Sequence, residues 1–85
     1  MDEKMKIVLE KFDIVRMKDL CNVPDCNKKP EKEIIIYQIT LKRRPKPLVS
    51  LYLCKNHVEM AKDLVKKFRE MDPKAIFNIE ILNLG

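Results

Sequence analysis

Three cysteines and one histidine set the tightest limit on what this chain can fold into. Cys21 and Cys26 are spaced C-x4-C, 27 residues follow, and Cys54 and His57 close the set as C-x2-H. Three thiolates and an imidazole are the number and kind of donors that fill one tetrahedral zinc site. The chain has no other cysteine and no other histidine, so only one such set can be drawn. The start, Met1-Asp2-Glu3-Lys4, is not the basic-then-apolar opening of an export signal, which points to the reducing cytoplasm. An odd cysteine count there reads as metal binding rather than as a disulfide framework. Zn2+ is therefore the expected cofactor.

Eighty-five residues make a single domain, spanning residues 1–85, and a chain this short usually needs a metal, a staple or a second subunit to be stable. Its apolar runs, such as Ile7-Val8-Leu9 and Ile34-Ile35-Ile36, fall far short of the ~20 residues of a membrane span. No membrane contact and no small-molecule substrate are expected. The net charge of +5 is concentrated: residues 27–46 hold seven bases and two acids, while the rest of the chain holds eleven of each. A charge excess confined to one stretch is a stronger sign of a partner than a diffuse one.

Hydrophobic period gives the elements. Residues 33–41 alternate as a strand, with Ile35, Tyr37, Ile39 and Leu41 on one face and Ile34, Ile36, Gln38 and Thr40 on the other. Residues 48–53 alternate likewise, setting Val49, Leu51 and Leu53 against Leu48, Ser50 and Tyr52. Between them, Lys42-Arg43-Arg44-Pro45-Lys46-Pro47 reads as a hairpin tip, because prolines are excluded from central strands. From about residue 55 the period is helical, with Val58, Ala61, Val65 and Phe68 in one stripe, and Asp72-Pro73 stops it. Residues 75–82 form a closing strand. The opening is ambiguous: Met5, Val8, Leu9 and Phe12 have helical spacing, whereas Ile7, Val8, Ile14 and Val15 favour a strand. Extended structure from about residue 6 to residue 17 is expected, pairing with the closing strand; a short helix is the alternative.

A knuckle (Cys21-Asn22-Val23-Pro24-Asp25-Cys26), then a hairpin, then a helix whose first turn carries the second ligand pair, resembles a treble-clef zinc finger. The expected fold is thus a small α+β treble clef over residues 19–71 with extra terminal strands. The two ligand segments also resemble the zinc-holding ends of HNH-type endonucleases. Those enzymes carry catalytic histidines between the ligand pairs, whereas residues 27–53 here contain none, so the resemblance implies a scaffold without the nuclease. Ser50 lacks a second histidine to activate it, and the single glycine, Gly85, cannot build a nucleotide-binding loop. The chain is not expected to be an enzyme.

Two roles follow. In the first, nucleic acid meets the tip cations Lys42, Arg43, Arg44 and Lys46, with Lys28 and Lys29 nearby and Tyr37 and Tyr52 available for stacking. In the second, the terminal strands form an edge that pairs with a protein partner or with another copy, and zinc only stabilises the fold.

Overall fold

The computed structural model describes residues 3–39 and 44–84. The order is helix α1 (Glu3–Lys11), a 3-10 turn (Ile14–Arg16), strands β1 (Lys32–Ile39) and β2 (Pro45–Leu53), a 3-10 turn (Lys55–His57), helix α2 (Val58–Met71) and strand β3 (Ile76–Asn83). The three strands form one antiparallel sheet in the order β2-β1-β3. This is a small α+β fold with one helix-covered sheet face.

Alternation places Ile34 and Ile36 of β1, Val49, Leu51 and Leu53 of β2, and Phe77 of β3 on the covered face, all buried. Helix α2 presents Ala61, Leu64, Val65 and Phe68 to them, and Phe68 meets Phe77 with ring centroids 5.7 Å apart. Of the expected stripe, Ala61, Val65 and Phe68 are buried and Val58 is half-buried, and Leu64 joins the buried set. Asp72 ends the helix, as the proline after it requires.

The opening segment is helical, not extended. Val8 and Phe12, four residues apart, are both buried in the common core while Glu10 is exposed, whereas a strand would have put Glu10 on the same buried face as the pair. Burial of that pair outweighs the weak strand preference of the β-branched residues. The closing strand therefore pairs not with the N-terminal segment but with β1, from Lys32 opposite Asn83 to Ile39 opposite Ile76. β1 becomes the central strand.

Strand β2 starts at Pro45, so Pro45, Lys46 and Pro47 belong to the strand rather than to the tip. A bulge explains why prolines are tolerated there. Tyr52 turns its N–H and C=O away from β1, toward Asn22, so alternate residues of β2 point outward. Ile36 pairs with Val49 but Tyr37 pairs with Pro47, leaving Leu48 as an extra residue that shifts the phase. Pro45 and Pro47 then both fall on the outward set, where a missing N–H breaks no ladder bond. Residues 40–43, which are the last two positions of the expected strand 33–41 and Lys42 and Arg43 of the expected tip, lie outside the described residues.

Candidate metal centre

The 3-10 turn after β2 brings the second ligand pair round. Cys54 follows the strand with extended backbone, and the His57 N–H bonds the Cys54 carbonyl at 3.0 Å. Cys54 and His57 therefore face one point. The first pair sits on the loop 21–26, folded back by the Cys26 N–H on the Val23 carbonyl (2.9 Å) and anchored by the Cys21 N–H on the Lys28 carbonyl (2.9 Å).

All four ligand atoms lie within 4.8 Å of one another. Cys26 Sγ is 3.8 Å from Cys54 Sγ, and His57 Nδ1 is 3.6 Å from Cys21 Sγ and 3.2 Å from Cys54 Sγ. A tetrahedral ion with metal–sulfur bonds of about 2.3 Å and a metal–nitrogen bond of about 2.0 Å has edges of about 3.8 Å and about 3.5 Å. The cluster therefore has the size of a four-coordinate site, and its donors suit a soft-to-borderline divalent metal. The three cysteines are free and buried; His57 is half-buried.

Backbone amides stabilise charge on the sulfurs. The Cys54 N–H donates to Cys21 Sγ at 3.3 Å, and the Val23 N–H bonds the same sulfur. Burial nevertheless pushes the Cys21 thiol above the ordinary range. Cys26 moves the other way: the Lys28 N–H bonds its sulfur and holds its pKa down, helped by the neighbouring thiols and the Lys28 charge. In both cases the cysteine sulfur accepts from the amide two residues further on. That is the knuckle geometry in which peptide dipoles favour thiolate over thiol.

Two residues that the ligand pattern does not reveal hold this loop in place. Arg16 lies across its mouth. Nη1 donates to the carbonyls of Cys21 (3.1 Å), Val23 (3.1 Å) and Cys26 (2.6 Å), Nη2 donates to that of Pro24 (2.5 Å), and Nε faces Asp13 Oδ2 at 3.4 Å. Asn22, fully buried, ties the loop to β2. Its N–H bonds the Tyr52 carbonyl (2.8 Å), its Oδ1 accepts the Tyr52 N–H (3.0 Å), and its Nδ2 donates to the carbonyls of Met17 (2.9 Å) and Leu20 (3.1 Å). Met17 has a φ of 49°, a conformation costly for a side-chain-bearing residue, and the Asn22 bond helps to hold it there. The only sequence signal for Arg16 is its rarity: the chain uses fourteen lysines and four arginines. Arg16 and Arg69, the two outside the basic stretch, both donate to backbone carbonyls. A planar fork does this better than a single ammonium.

The other expected site residues are not brought together. Lys28 and Lys29 are exposed beside the metal cluster, while Arg44 and Lys46 are exposed at the far end of the β1–β2 hairpin. The seven steps of β1 between these ends span about 23 Å. Tyr37 and Tyr52 share the sheet face opposite α2, where the charged groups among the described residues are Glu33 and Glu80. Tyr37 Oη donates to Glu80 Oε1 at 3.1 Å, and this bond raises the Tyr37 pKa; burial first, then Glu33, raises that of Tyr52. Among the described residues, no helix is long and apolar enough to cross a membrane. Comparison with family models, curated proteins and solved structures returns no match.

Proposed function

We propose that this chain is a non-catalytic zinc module of treble-clef type that binds nucleic acid phosphates through the hairpin end of its sheet. Support for zinc comes from the Cys3His set and its tetrahedral spacing. Four protein donors complete that coordination shell, which leaves no position for a reacting water and favours a structural role. The treble-clef reading rests on the order of parts: a ligand loop at 21–26, the β1–β2 hairpin, and a turn into α2 carrying Cys54 and His57.

The observation that carries the nucleic-acid reading is the division of the sheet into two ends. The Cys3His cluster lies at one; at the other, Arg44 and Lys46 stand exposed next in sequence to Lys42 and Arg43, with no acid between residues 34 and 58. Lys28 and Lys29 are too far away to share one phosphate cluster with them. The tyrosines are left out of this reading, because Glu33 and Glu80 would repel a phosphate backbone laid along their face.

The test is the salt dependence of binding to a DNA duplex, in the wild type and with Lys42, Arg43, Arg44 and Lys46 replaced by alanine. For every phosphate no longer neutralised, the slope of log K against log salt should flatten by about 0.9. An unchanged slope removes the hairpin end as the binding element, and replacement of Lys28 and Lys29 should leave the slope unaltered.

A further inference from the structure

The two outer edges of the sheet are treated differently. On β2, Tyr52 is already paired with Asn22, and Pro45 and Pro47 offer no N–H, so a strand arriving there finds little to bond. Strand β3 is less protected: among the described residues, only the Phe77 carbonyl of its outer edge is met by a side chain, that of Arg69. Residues 76–83 contain no proline, no glycine and no cation, and their single charge is Glu80. Among the described residues, seven large apolar side chains stand exposed, and four of them lie in β3 or just beyond it: Ile76 (59%), Ile81 (43%), Leu82 (40%) and Leu84 (38%).

The phase of the strand identifies which peptide groups face outward. Tyr52 points away from β1, so Ile34 and Ile36 of β1 bond β2, and Glu33, Ile35 and Tyr37 bond β3 through Leu82, Glu80 and Asn78. The Leu84 N–H on the Glu31 carbonyl agrees with this. The free peptide edge therefore belongs to Phe77, Ile79, Ile81 and Asn83. Arg69 reaches that edge to donate to the Phe77 carbonyl at 3.2 Å, leaving its second lone pair and the groups beyond it open.

We infer that β3 pairs antiparallel with β3 of a second copy, centred on Ile79, to make one continuous sheet of three strands from each chain. The strand is self-complementary in that register. Ile79 faces Ile79 of the second copy and Phe77 faces Ile81, both as hydrogen-bonded pairs using the free edge. On the open face, Asn78 faces Glu80 and Ile76 faces Leu82, so exposed apolar side chains meet each other and the carboxylate meets an amide. A register centred on Glu80 would instead set two carboxylates opposite each other, which is destabilising. The dyad stands normal to the sheet, so both copies keep their helices on one side. The two basic hairpin ends are then carried to opposite corners, where they do not repel. This inference is independent of the nucleic-acid reading, since it uses the edge farthest from β2.

Sedimentation of the zinc-loaded full chain across micromolar concentrations, with amide hydrogen exchange, tests it. A dimer of twice 10.1 kDa is expected. The amides of Ile79 and Ile81 should exchange at least about a hundredfold more slowly in the dimer than in dilute monomer. Ile81→Pro removes only an outward N–H and should give a folded monomer. If that variant misfolds, Ile76→Lys with Leu82→Lys, which leaves the ladder untouched, should give the monomer instead. A wild type that stays monomeric at about 0.5 mM overturns the inference. So does a dimer that survives the lysine pair, or one whose Ile79 and Ile81 amides exchange freely.

Discussion

Arg16→Ala should loosen the metal centre without touching a ligand. The guanidinium offers two N–H groups from Nη1 to three carbonyls and one from Nη2 to a fourth, so together these amount to about three full hydrogen bonds. At about 1 kcal/mol net for each, truncation costs about 3 kcal/mol, and water entering the vacated space keeps the figure from rising further. The Asp13 pair is half-exposed and adds less than about 1 kcal/mol. Because the loop carries Cys21 and Cys26, metal affinity should share this loss. At about 1.4 kcal/mol per decade, a cost of about 3 kcal/mol corresponds to an apparent zinc affinity weaker by up to about a hundredfold. The zinc-loaded domain should also melt about 12–24 °C lower, at about 4–8 °C per kcal/mol for a chain of this size. Competition against a chromogenic chelator gives the affinity, and the d–d spectrum of the cobalt-substituted protein reports whether the remaining sites stay tetrahedral. Arg16→Lys should recover only part of the loss, since one ammonium cannot span four carbonyls. The account fails if Arg16→Ala binds zinc within about twofold of the wild type and melts at the same temperature.

Two further outcomes follow from the same geometry. Removing the metal with a chelator should abolish the cooperative unfolding transition, as structural zinc contributes an apparent stabilisation of about 10–16 kcal/mol in small domains; Cys54→Ser and His57→Ala should act in the same direction, and an unchanged melting curve after verified zinc removal would sink the structural role. The Tyr37–Glu80 bond gives a pH dependence of definite sign. Tyr37 has a folded pKa raised above its ordinary value of 10.0, so its contribution to stability is fully present below that value and is lost as pH rises through the folded one. In a Tyr52→Phe background, ultraviolet titration of tyrosinate should show Tyr37 ionising late, and Glu80→Gln should bring it back toward the ordinary range.

The clustering of the four donors was legible because metal chemistry limits the choice of residue so strongly. With only four soft donors available, the pairing of Cys21 and Cys26 with Cys54 and His57 needed no knowledge of the path between them. The hairpin and α2 were legible for a related reason: alternation at Ile34 and Ile36, and the stripe from Ala61 to Phe68, each fit only one period. The failures share a physical origin too. Helix α1 was decided by where Val8 and Phe12 are buried, a tertiary fact that outweighs the local preference of Ile7 and Val8. The start of β2 was missed because a proline signals only that its N–H is absent, and the bulge at Leu48 determines whether that absence matters. Arg16 left only the faint trace of its rarity, because its partners are backbone carbonyls, which every residue possesses, so no pairing of side chains could have pointed to it. A donor cluster read from sequence therefore names its side chains and stays blind to the groups that hold them. In this chain those groups come from the segment whose fold was hardest to read. The turn after α1 carries Asp13, Arg16 and the strained Met17, so an N-terminal segment with no donor of its own holds one half of the Cys3His cluster.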